Sequence, residues 1–157
     1  MGKASELLAA TLIVFAVALL GVTHGMILAF KQQPVETHTM MTSFFRDLVI
    51  GAFYLASLTL GSAILLPGLL LLYFASVTLG TFISSTTQIP TLRLLLYTSY
   101  YLLMFTACIV GVKEALLLLR KGEINLEHLL SAYTTLYLIY ITLLVVEYYA
   151  SYLLALF

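Results

Sequence analysis

Four long apolar blocks dominate this chain: Leu7–Phe30, Leu48–Ser85, Leu94–Val112 and Leu129–Phe157. A helix rises ~1.5 Å per residue, so ~20 residues match the ~30 Å hydrocarbon core of a bilayer. Each block can cross once, and Leu48–Ser85 is long enough to cross twice. Pro67-Gly68 breaks that block into Leu48–Leu66 and Pro67–Ser85. Pro67 suits the first turn of a new helix, where its missing N–H has no partner to lose. In lipid, backbone polar groups must bond within their own segment, which selects helices for such runs. The expected fold is therefore all-α. It is a single transmembrane domain over residues 1–157, a polytopic membrane helix bundle of five hydrophobic segments. Segments 2 and 3 form a Pro-Gly-broken hairpin.

Composition narrows the function classes. The chain is 62% hydrophobic and 9% charged, against ~25% charged in soluble domains. No connection exceeds about 17 residues, too short to hold a soluble enzymatic domain. Net charge is zero, and no basic patch suggests nucleic acid. The expected partners are membrane lipid and other membrane proteins, or further copies of the chain. The single cysteine, Cys108, lies inside an apolar segment and reads as a packing residue. Lys3 before an apolar run looks like a secretory signal, but the run to Phe30 is too long for one, so an uncleaved first span is expected. With one Asn and three Gln, the chain follows the low-amide trend of thermophile proteins.

Punctuation between segments is clear. Pro34 interrupts the polar connector Lys31–Ser43, and Ser43 can cap the second helix. Gly122 suits the end of the fourth helix, and Asn125 the cap of the fifth, with Glu127 in its first turn. The N-terminal face then carries Lys3, Lys113, Arg120 and Lys121, and the opposite face Lys31, Arg46 and Arg93. The excess of one positive charge places the N-terminus in the cytoplasm of a multi-pass cell-membrane protein.

Two patterns bear on association. Tyr54-Leu-Ala-Ser-Leu-Thr-Leu-Gly61 is echoed by Tyr73-Phe-Ala-Ser-Val-Thr-Leu-Gly80, with six of eight positions identical at a spacing of 19. Across a tight corner the two copies run antiparallel, as in inverted repeats that build solute sites. The same stretches hold small-xxx-small motifs at Ser57/Gly61 and Ser76/Gly80, and a third lies at Gly21/Gly25. Lipid supplies no hydrophobic drive between helices, so close backbone approach at small residues predicts tight helix pairs.

Intramembrane polar residues are the candidate site. Tyr133, Tyr137, Tyr140, Leu144, Glu147 and Ser151 recur at i, i+3/i+4 and share one helix face. By depth, His24, Arg46, Asp47, Arg93 and Glu147 fall in one layer near the opposite face. Charges in spans face protein or water, so this layer reads either as an ion or proton relay or as ion pairs, such as Glu147 with Arg46 or Arg93, that fix helix register. Tyr97, Tyr101, Met104, Cys108 and Gly111 form another stripe, read as aromatic packing or as a groove for a lipid tail or quinone. His24, His38 and His128 lack metal spacing, so no metal or cofactor is expected. No G-x-S-x-G, H-E-x-x-H or phosphate loop occurs, so no catalytic residue is assigned.

Three stretches resemble the stage II sporulation protein M family of small multi-span membrane proteins. Phe44-Phe45-Arg46-Asp47-Leu48 looks like that family's Phe-rich start of the second span. Gly61 to Gly80 looks like its Gly/Pro-punctuated hairpin, and Glu147-Tyr-Tyr-Ala-Ser like the Glu-plus-aromatic motif of its last span. Ala75-Ser76 stands where the family has Asn-Gly, and Ser99–Leu103 where it has His-Gly-x-x-Glu. The resemblance implies membrane or envelope organisation through partner proteins. Three functions follow as expectations. The first is a non-catalytic scaffold or accessory subunit associating through its spans. The second is a small transporter or channel using the inverted repeat, and the third a lipid- or quinone-handling subunit of a larger membrane enzyme.

Overall fold

A computed structural model of the chain describes residues 3–29, 44–64, 66–85 and 91–156. They form five helices: α1 Lys3–Ala29, α2 Phe44–Ala63, α3 Leu66–Ser85, α4 Thr91–Lys121 and α5 Leu126–Leu156. No strand occurs among the described residues. Stretches of α1, α2, α4 and α5 are long and apolar enough to cross a membrane, and α3 adds a shorter apolar run, Pro67–Thr81. The protein is an all-α helical bundle of membrane type. Pro34, the Ser43 cap and the stretch over 86–90 lie outside the described residues.

The punctuation acts where the sequence places it. Pro67 is the second residue of α3, after a corner closed by the Ile64 N–H donating to the Gly61 carbonyl at 3.2 Å. Gly122 ends α4 with φ of 70°, and its N–H donates to the Leu118 carbonyl at 2.8 Å. Glycine adopts that left-handed geometry without Cβ strain. Asn125 then caps α5, its Oδ1 accepting the His128 N–H at 2.9 Å.

Helix directions alternate. Gly21 lies against Tyr73 and Ser76, and Gly25 against Val77 and Thr81, so α1 and α3 run the same way. Tyr133 reaches Ala52 and Tyr137 reaches Leu48, so α5 runs against α2. Glu6 meets Arg120 and Glu114 meets His128, so α4 opposes both α1 and α5. Helix α4 touches all four others, whereas α1 meets neither α2 nor α5 among the described residues. Leu55, Leu58, Leu72, Leu103 and Val112 fill the centre. Outward positions such as Leu19, Phe53, Leu102 and Leu138 are apolar and exposed, as lipid solvation requires.

The three small-residue motifs are used unequally. Gly21 and Gly25 of α1 meet Ser76 and Gly80 of α3 so closely that any Cβ on Gly25 or Gly80 would strike the facing backbone. Glycine is what lets these two backbones approach. At Gly61 an added Cβ would stand 3.5 Å from the Gly68 nitrogen, an ordinary contact, and Ser57 is only half-buried. The two repeat copies therefore sit in unlike surroundings.

Candidate functional site

Two polar layers bracket the apolar band. The one near the N-terminal face centres on Glu114, 2% exposed. Its carboxylate accepts from His128 Nδ1 at 3.0 Å and the Asn125 N–H at 3.3 Å, with Lys113 Nζ at 3.7 Å. A second pair, Glu6 Oε1 with Arg120 Nη1 at 2.9 Å, ties the start of α1 to the end of α4. A shallow cavity of ≈ 420 Å³ opens at the α4–α5 turn, edged by Lys121, Glu123 and Glu127 over Leu117, Ile124 and Leu126.

The layer at the opposite face is built on hydroxyls. Tyr100 donates to Glu147 Oε2 at 2.8 Å, and Tyr148 to Asp47 Oδ2 at 2.8 Å. Tyr140 donates to the Asp47 carbonyl at 2.8 Å, its ring 5.5 Å from that of Tyr100. So Asp47 and Glu147 are joined through three helices by tyrosines. Below them, Tyr133, Tyr137 and Tyr140 stack along α5, with ring centroids 5.9 and 6.3 Å apart. Tyr133 and Tyr137 donate to the Ala52 and Leu48 carbonyls of α2, each at 3.3 Å. A hydroxyl in a lipid-solvated bundle needs such a partner.

The residues grouped by depth separate laterally. Asp47 and Glu147 meet through Tyr100 and Tyr140. Arg46, largely exposed, lies 3.7 Å from Asp47 rather than on Glu147. His24 is on the α1–α3 side, sharing a hydrogen bond with the Tyr73 hydroxyl. The side chain of Arg93 lies outside the described residues. Among the described residues no group of three His, Cys, Asp or Glu side chains could hold a metal, and no buried side-chain N or O lacks a partner.

Depth alone misses the Glu114 layer, although its signal is present. Lys113-Glu114 interrupts an apolar run between Val112 and Ala115–Leu119, and an acid there needs a partner. In the Tyr97 stripe, Tyr101 bonds Ser76 at 2.9 Å and Cys108 contacts Ser62 at 3.2 Å, so both polar tips join helices to one another.

Chemically the opposite-face layer can hold or pass a proton between hydroxyl and carboxylate, and mechanically it fixes α2, α4 and α5 in register. Comparison with protein families, with curated proteins and with solved structures finds no match for the chain.

Proposed function

We propose that this protein is a non-catalytic membrane scaffold or accessory subunit that associates with other membrane proteins through its spans. One observation carries the reading: polar side chains of the bundle form helix-to-helix clamps. Glu6–Arg120 joins α1 to α4, Glu114–His128 joins α4 to α5, Asp47–Tyr148 joins α2 to α5, and Ser76–Tyr101 joins α3 to α4. Such clamps make a body of fixed register whose outer surface is left for lipid and neighbours. The resemblance to stage II sporulation protein M points the same way. The carrier alternative rests on the inverted repeat, and there Ser76 is fully buried on α1 while Ser57 is half-buried, and Tyr73 meets His24 while Tyr54 reaches the Leu71 carbonyl at 3.4 Å.

Purification in mild detergent, with mass identification of co-eluting chains, tests the proposal. A stoichiometric membrane-protein partner is expected. The chain alone, combined with solute flux in reconstituted vesicles, overturns it.

A further inference from the structure

With eleven tyrosines, no tryptophan and one fully buried cysteine, tyrosine is the main side chain from which this protein can lose a single electron. Four tyrosines form a continuous row. Tyr133 and Tyr137 stack with ring planes 5° apart and centroids 5.9 Å apart, and Tyr137 and Tyr140 at 12° and 6.3 Å. Tyr100 of α4 extends the row, its ring 5.5 Å from that of Tyr140. All four lie within the stretches Leu95–Lys121 and Leu126–Ala150, which are apolar enough to cross a membrane. Rings in such contact can pass an electron from one to the next.

The hydroxyls of the row differ in what they can do with a proton. A phenol that loses an electron becomes a strong acid and must release its proton. Tyr133, Tyr137 and Tyr140 donate to the carbonyls of Ala52, Leu48 and Asp47, and a backbone carbonyl does not keep a proton. Tyr100 donates instead to Glu147 Oε2 at 2.8 Å, within reach of direct transfer to a carboxylate. Two further tyrosines have basic partners but other ring neighbours. Tyr148 donates to Asp47 Oδ2 and packs edge-on against Phe44, and Tyr73 pairs with His24 on the α1–α3 side. Tyr100 is where the row and a proton acceptor meet.

We infer that Tyr100 is a redox-active tyrosine that reduces lipid peroxyl radicals, with the α5 row as its electron path and Glu147 as its proton acceptor. This goes beyond the scaffold reading and does not depend on it. Peroxyl radicals form on unsaturated acyl chains, the medium around the row. In the step, the Tyr100 O–H bond breaks. Its electron passes to the peroxyl radical, directly or through Tyr140, Tyr137 and Tyr133, and its proton passes to Glu147. The reduced peroxyl oxygen takes a proton from interfacial water, leaving hydroxide, and departs as a hydroperoxide. A neutral tyrosyl radical and a protonated Glu147 remain.

The test uses the full chain in nanodiscs of an unsaturated phosphatidylcholine. A lipid-soluble azo initiator in air generates the peroxyl radicals, and electron paramagnetic resonance after freeze-quenching reads the tyrosyl radical. Wild type should give a tyrosyl signal that appears more slowly in D2O, since an O–H bond breaks in the step. Tyr100→Phe should lose most of that signal. Tyr149→Phe removes a tyrosine that is 65% exposed and outside the row, and should leave the signal unchanged. Glu147→Gln keeps an acceptor for the hydrogen bond but cannot take the proton. It should slow radical formation about a hundredfold, a loss typical of removing a positioned proton acceptor. A wild type without signal or without the D2O effect overturns the inference. So does a Tyr100→Phe signal equal to that of wild type, or a Glu147→Gln rate equal to that of wild type. None of these outcomes bears on the scaffold proposal, which co-purification tests separately.

Discussion

Glu147 shows how the partner among the described residues decides what a substitution does. Read from depth alone, it belongs either in an ion or proton relay or in an ion pair with Arg46 or Arg93, and in the second case its loss would strand a buried charge. In the structure it accepts from the Tyr100 hydroxyl at 2.8 Å. An amide oxygen can accept the same hydrogen bond. Glu147→Gln is therefore expected to change stability by no more than about 1 kcal/mol, whereas Glu147→Leu leaves the Tyr100 hydroxyl unpaired at about 1–3 kcal/mol. Glu114 behaves differently, because it is almost wholly buried and held by more exposed partners. Removing His128 leaves the carboxylate in place with fewer donors, so His128→Leu should cost about 2–3 kcal/mol. Replacing Glu114 and His128 together by leucine should recover much of that loss, since no fully buried carboxylate remains and Lys113 is 23% exposed. Thermal unfolding of these variants in mild detergent measures both contrasts, and a Glu147→Gln loss as large as that of His128→Leu would refute the assignment of partners.

At the scale of elements, the α1–α3 crossing depends on absent side chains. Gly25→Ala and Gly80→Ala each place a methyl group against the facing backbone, at Val77 and Val22 respectively. Both should lower the unfolding midpoint strongly, by mechanisms typical of overpacking at about 1–3 kcal/mol. Gly61→Ala meets only ordinary contacts and gains helix propensity, so it should be neutral or slightly stabilising. Equal damage at Gly61 and Gly80 would mean that the two repeat copies pack alike. The contrast also shows what sequence could and could not reveal. Run lengths and punctuation at Pro67, Gly122 and Asn125 define the helices, because local backbone chemistry decides where a helix starts and stops. The face that each helix turns inward is set otherwise. In lipid both faces are apolar, so the pattern carries little orientation signal. Ser57/Gly61 and Ser76/Gly80 are nearly the same sequence, and only the neighbour lying alongside separates them. His24 likewise shares the depth of Glu147 but lies on another helix pair, information that depth does not contain.

For the whole molecule, an alternating run of five helices places the start of α1 and the end of α5 at opposite ends of the bundle. The alternation is fixed by pairs distributed over the bundle: Glu6 with Arg120, Glu114 with His128, and Tyr100 with Glu147. Absolute orientation rests instead on charge. Lys113, Arg120 and Lys121 gather at the α4 end, and Lys3 at the start of α1. Pairing with Glu114 and Glu6 does not remove their influence, because acidic residues weigh little in the positive-inside rule. If the charge excess sets the orientation, an impermeant maleimide applied to intact cells should spare Glu123→Cys and label Ser84→Cys, at the far end of α3. Cys108 is fully buried and should give no background. Labelling of both positions would break the alternation, and with it the fold. Labelling of Glu123→Cys alone would keep the fold and invert the protein in its membrane, moving the Glu114 layer and the α4–α5 turn to the outside.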